Sequence, residues 1–172
     1  MNDLIHSSAK LGFVYVFECI GRDGRLKWRE RQENLIPDVG RDYLLNAGLL
    51  GGSQLSSWFI GLYANARTNA VTDTMTTLMA DAGEITDYTT AGSNRLALTP
   101  DALSNGVFSN LGNPAEFEAT ADFTVRGGFI TSNATQGSTA GTLLSLVANA
   151  SPKPVETGEI LRVTAGLSLL SV

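Results

Sequence analysis

From Glu116 to Arg126 the chain alternates without a break, with Phe117, Ala119, Ala121, Phe123 and Val125 at odd positions and polar side chains at even ones. A period of two sustained over that length fits a β-strand with one dry face and excludes a helix. Gly127-Gly128 interrupts the pattern, Phe129-Ile130 resumes it, and a small-residue turn from Ser132 to Gly141 leads into Thr142–Val147. The stretch predicts consecutive strands of an antiparallel sheet, with Gly127-Gly128 as the bulge at which the chain changes sheets.

Similar patterns recur on both sides of this stretch. Leu11–Ile20 is apolar on both faces apart from Glu18, which predicts a strand covered on both sides. Gly21-Arg22-Asp23-Gly24 reads as a hairpin connection and Arg25–Glu30 as its return, with Trp28 on the inner face. At Pro37 the period changes: Asp38 is a candidate N-cap, and Val39, Tyr43, Leu44, Ala47 and Leu50 recur at spacings of three and four. This predicts one amphipathic helix over about 38–50, packed on the sheet and stopped by Gly51-Gly52. Leu55–Ala64 is a further strand apolar on both faces, and residues 65–87 read as a long surface excursion with a short helical turn near Thr76–Ala80. Short strands are expected at Asn94–Leu98 and Gly106–Phe108, an edge or corner at Ser151–Pro154, and a long central strand at Glu159–Leu170. The expected class is all-β and antiparallel. At 172 residues the length fits one domain, preceded by a polar arm at 1–10.

The chemistry these residues allow is narrow. His6 is the only histidine and lies in the arm, so a Ser-His-Asp site is not expected. Cys19 is the only cysteine and sits in an apolar run, where it reads as a buried small hydrophobe rather than a disulfide or metal partner. Glu116, Glu118 and Asp122 share a strand face and form a carboxylate row, read as a wet face rather than a cation site. Gly48–Ser53 follows a helix instead of opening one, which removes the amides that hold a phosphate. No catalytic residue, metal or cofactor is expected. A net charge of -5 argues against nucleic acid or an anionic membrane as partner, and no run is long enough to span a bilayer. The N-terminus lacks a basic region followed by an apolar core, so synthesis in a cytosol is expected. The charge is nevertheless uneven, since six of the 12 basic residues (Arg22, Arg25, Lys27, Arg29, Arg31 and Arg41) fall within positions 22–41. Only Arg67 and Arg95 lie between Tyr43 and Val125.

One order of motifs covers most of the chain, from about position 11 to 170. It runs through Asn34-Leu35-Ile36-Pro37, the helix at Asp42-Tyr43-Leu44-Leu45, Ser57–Tyr63, Phe129–Ser132 with Gly137–Leu144, and Pro154–Val163. In that order the chain resembles small virion structural proteins of tailed bacteriophages. The resemblance implies a β-sandwich or jelly-roll-like body over 11–172 and a non-enzymatic role in coating or joining parts of the particle. Within that range it points to a capsid decoration or cement protein at the capsid surface, made in the host cytoplasm. Its expected partner is the major capsid protein or another virion protein, bound by a homo-oligomer with a trimer favoured. Candidate interface residues are His6 and Lys10 in the arm and Arg22, Arg25, Lys27, Arg29 and Arg31 in the hairpin, with residues 65–87 as a further contact. The alternative is a tail- or fibre-associated module that binds the host, with Trp28, Trp58 and Tyr63 as stacking candidates.

Overall fold

The computed structural model describes residues 12–103 and 106–168. In chain order these form β1 (Phe13–Ile20), β2 (Leu26–Glu33), α1 (Asp38–Leu49), β3 (Phe59–Tyr63), α2 (Met75–Asp81), β4 (Leu96–Ala97), β5 (Val107–Ser109), β6 (Ala115–Glu118), β7 (Phe123–Thr131), β8 (Leu143–Val155) and β9 (Ile160–Ser168). Two antiparallel sheets face each other. The first runs β2-β1-β9, with β5 and β6 sharing the far edge of β9, and the second runs β4-β3-β7-β8. The protein is an all-β sandwich carrying two short helices, α1 where the sequence predicts the amphipathic helix and α2 over the short helical turn expected near Thr76–Ala80.

Alternation in β1 and β9 builds the interior. Phe13, Tyr15, Phe17 and Cys19 face inward beside Leu167, Ala165, Val163 and Leu161 of β9. From the second sheet Ile60, Leu62, Val125, Ile130 and Val147 close the same core. Each large side chain fully buried here contributes roughly 1.5–3 kcal/mol. The opposite side of β1 departs from expectation: Val14, Val16, Glu18 and Ile20 are only half-buried. Glu18 shares that face with Arg29 of β2 and Arg162 of β9, and three charged neighbours hold the face in water.

The second sheet, in contrast, is covered on both sides. Tyr63, Phe129, Leu143 and Leu146 point away from the first sheet and form a smaller core with Met75, Leu78 and Ala82 of the α2 region. Residues 65–87 run over the surface as expected, but they also turn Met75, Leu78 and Ala82 inward to cap an apolar sheet face. The turn at Thr74 starts this cap, because the Thr74 and Thr77 side chains each bond the other's backbone N–H. Two glycines make the packing possible. A Cβ at Gly61 would lie 2.2 Å from the Phe129 ring, and one at Gly127 2.1 Å from the Val147 carbonyl oxygen and 2.3 Å from the Tyr63 ring. Both strands need bare backbone where an aromatic ring crosses them.

The unbroken alternation from Glu116 to Arg126 belongs to two strands in different sheets. Phe117 pairs with Leu161 in the first sheet, Phe123 with Val155 in the second, and the chain crosses at Thr120–Asp122. Odd residues on both sides of the crossing face the shared interior, so the period survives a change of sheet. Gly127-Gly128 stays within β7. The irregularity beside it lies on β8, where pairing jumps from Gly127↔Ala148 to Val125↔Lys153. The extra residues let β8 bend towards β2: the Ala150 N–H donates to Glu30, Lys153 pairs with Glu30 at 3.0 Å, and Trp28 Nε1 donates to the Pro154 carbonyl at 2.9 Å. Pro152 and Pro154 fit because β8 is the edge strand of its sheet.

Two side-chain amides, one buried and one half-buried, complete the frame. Asn110, fully buried, accepts from Ala165 N–H at 2.7 Å and donates to the Val163 carbonyl at 3.2 Å, filling the gap on β9 between β5 and β6. Asn34 accepts from Phe13 N–H and donates to Ser145 Oγ, to which Tyr15 also donates, tying the first sheet to the second.

Candidate assembly surfaces

The basic hairpin does not form one patch. Strand alternation sends Arg29 and Arg31 to the outer face of the first sheet and turns Trp28 and Glu30 inward. A register shift between Cys19 and Ile20 lets Lys27 reach the turn before β9, where it pairs with Glu159 at 2.6 Å and Glu156 at 3.2 Å. Arg22 Nε donates to the Thr157 carbonyl at 2.7 Å, Arg25 lies 3.8 Å from Asp23, and Arg29 meets Glu18 at 3.3 Å. Arg31 is exposed opposite Val16. His6 and Lys10 lie outside the described residues.

Glu159 anchors this corner from inside, almost fully buried. Burial alone would raise its carboxyl pKa, but the Glu156 N–H, Lys27 and the Cys19 thiol outweigh that and hold it below its ordinary value. Burial also pushes the Cys19 thiol up to about 12, helped by its hydrogen bond to Glu159. A buried thiol held protonated is no nucleophile. The carboxylate row dissolves as well: Glu116 pairs with Arg162 at 2.7 Å, Glu118 is exposed, and Asp122 accepts from Thr157 across the sheet crossing. Among the described residues no group of three or more His, Cys, Asp or Glu is placed to hold a metal ion. No described helix is long and apolar enough to cross a membrane.

The two basic residues of the acidic middle both became buried ion pairs. Arg95 forks onto Glu84 at 2.7 and 2.9 Å, donates to the carbonyls of Asn133 and Ser138, and lies 5.2 Å over the Phe129 ring. Arg67 pairs with Asp73 and Asp81, each at 2.9 Å. A lone arginine in a stretch otherwise without cations was the available signal. Among the stacking candidates, Tyr63 is core and donates to the Val147 carbonyl. Trp58 packs edge-on against Tyr43 at 5.2 Å, and Trp28 is held by Pro154.

Sequence periodicity missed the surface of α1. Gly40 is its one buried residue, and Tyr43, Leu44 and Ala47 lie half-buried beside the sandwich. Val39 and Leu50, expected on that inner stripe, are instead exposed, together with Leu45 at 55 %, Leu49 at 77 % and Leu55 at 39 %. Leu50 itself is 79 % exposed. An apolar recess of about 320 Å³ opens on one flank of the helix between Tyr43, Leu55, Trp58 and Phe108, and a shallower one on the other between Val39, Leu45 and Leu50. Elsewhere, Thr86, Thr89, Thr90, Ser93 and Thr120 line an open hydroxyl-rich recess of about 720 Å³. The chain matches no family model and no curated protein.

Proposed function

We propose that the protein is a non-enzymatic virion structural component, a capsid decoration protein that seats α1 on a capsid subunit and bridges the joint to the next. The exposed leucines at 45, 49, 50 and 55 carry this reading, because each costs free energy in water until a partner covers it. The resemblance to tailed-phage structural proteins supplies the kind of partner. Many copies, each bound through a modest apolar contact, would stabilise a shell through avidity and repetition. The open hydroxyl-rich recess favours a second reading, a tail- or fibre-associated module that holds a host glycan through hydroxyl contacts.

Copy number separates the two. Quantitative mass spectrometry of purified particles should find the chain on the order of hundreds of times per particle if it decorates a repeating shell, and in tens or fewer if it belongs to a tail. Absence from the particle overturns both readings.

A further inference from the structure

On the outer face of the first sheet, one row of directly opposed residues crosses four strands: Arg29 of β2, Glu18 of β1, Arg162 of β9 and Glu116 of β6. The charges alternate plus, minus, plus, minus. Their side chains remain 60, 32, 42 and 47 % exposed, open enough to be reached by another molecule. Neighbouring pairs already hold one another, Arg29 with Glu18 at 3.3 Å and Arg162 with Glu116 at 2.7 Å, so little side-chain freedom is left to lose on binding.

Such a row is its own complement when turned about an axis parallel to the strands, midway between Glu18 and Arg162. Arg29 then falls opposite the second copy's Glu116, and Glu18 opposite its Arg162. A turn about an axis across the strands would instead set Arg29 over Arg29 and Glu18 over Glu18, which repel. The favourable turn also fits the flanking rows. Ile20 meets the second copy's Ile160 on one side, and Val16 meets its Thr164 on the other. All four are half-buried within one copy, with surface left to cover. Leu26 and Glu118 close the Ile row at its rim.

We infer that this face binds a second copy of the chain, first sheet on first sheet, about a two-fold axis parallel to the strands. The row's width at about 4.8 Å per strand and about seven residues at about 3.3 Å give a footprint of roughly 19 by 23 Å, so a pair buries on the order of 900 Å². That is the size of a weak pair, formed at high protein concentration or where many copies are gathered. The inference rests on strand register and charge alone and stands whether or not the protein is a shell component.

Analytical ultracentrifugation of the whole chain from about 10 μM to about 1 mM tests it. The expected result is a concentration-dependent monomer–dimer equilibrium, with Arg29→Glu raising the dissociation constant at least about tenfold because two symmetric attractions become repulsions. A chain bearing Glu18→Arg, Arg29→Glu, Glu116→Arg and Arg162→Glu together keeps every neighbour pair within a copy. It should pair with itself but not with the unaltered chain in a fluorescence-detected mixing experiment. A strictly monomeric or trimeric chain, an unchanged constant for Arg29→Glu, or free mixing of the two forms each overturns the inference. If the fourfold exchange does not fold by circular dichroism, the self-association of the unaltered chain and of Arg29→Glu still decides it.

Discussion

Glu84 and Arg95 form the most deeply buried ion pair described, with side chains 5 % and 0 % exposed, and its removal gives a sharp energetic test of the cap over the second sheet. Arg95 directs two nitrogens at the carboxylate, at 2.7 and 2.9 Å, and its remaining contacts go to the carbonyls of Asn133 and Ser138, the Met79 sulfur and the Phe129 ring. Glu84 in turn accepts from Gly137 N–H at 2.6 Å, so the pair pins the turn between β7 and β8 to the α2 region. Replacing Glu84 with Leu strands a guanidinium that has only uncharged partners left, at a cost of about 3–5 kcal/mol. Replacing Arg95 with Met strands the carboxylate and two carbonyls, at a similar cost. Either loss is a large share of the roughly 5–15 kcal/mol by which such a domain is stable. In the double variant no charge is stranded, and Leu and Met add apolar volume over Phe129. Its cost should fall to about 0–2 kcal/mol, a coupling of several kcal/mol between sites in direct contact. Urea unfolding followed by circular dichroism and tryptophan fluorescence measures all four states. Single losses under about 1 kcal/mol, or a double loss equal to the sum of the singles, would refute the account of this pair.

Three further outcomes follow from the same packing. Gly40→Ala should destabilise by about 1–3 kcal/mol in thermal unfolding although alanine is the better helix former by about 1 kcal/mol, because its Cβ would lie 2.6 and 2.9 Å from the Leu144 and Leu143 carbonyl oxygens; a rise in Tm contradicts the close approach of α1 to β8. For Glu30, Asp73 and Glu159, burial would raise the carboxyl, but hydrogen bonds and cations hold each below its ordinary value of 4.5 (Glu) or 3.8 (Asp). The unfolded chain binds these protons first, so their contribution is complete above those values and lost as pH falls through the lower folded ones; Tm should be level near neutrality and drop below about pH 4, and a chain equally stable at pH 2 refutes this. The Cys19 thiol should resist a disulfide reagent at pH 8 in the native state and react at once in urea, and rapid native labelling would place it elsewhere than in the core.

Strands were legible wherever one face stays dry over several residues, as in β1, β2 and β9, since strand geometry forces the period of two. The helix at 38–49 was legible for the corresponding reason, with Pro37 marking its start, although Pro37 itself is the N-cap and Asp38 pairs with Arg41 inside the first turn. What periodicity does not report is who covers a face. Val14 and Val16 lie in an apolar run yet are only half-buried, because their neighbours, distant in sequence, are the charged Glu33 and Arg31 on β2 and the small Gly166 and Thr164 on β9. Val39 and Leu50 look like core and are not, since Gly40 lets only one narrow stripe of α1 reach β8. The same limit hid the sheet crossing at Thr120–Asp122 and the cap formed by residues 65–87. Isolation among acidic and neutral residues was the one sign that singled out Arg67 and Arg95, and Asn110 carried none, because each is stabilised by partners fixed only after the chain has folded.

On the proposed decoration role, the apolar surface of α1 is the contact with a capsid subunit. Leu45→Lys/Leu49→Lys changes two exposed side chains, so stability should stay within about 1 kcal/mol of the unaltered chain. Co-sedimentation with purified undecorated shells over a concentration series then reads the contact directly. Equal occupancy should require at least about tenfold more free variant, the effect of burying a charge at an apolar contact. Equal binding curves for a folded variant and the unaltered chain would contradict the claim.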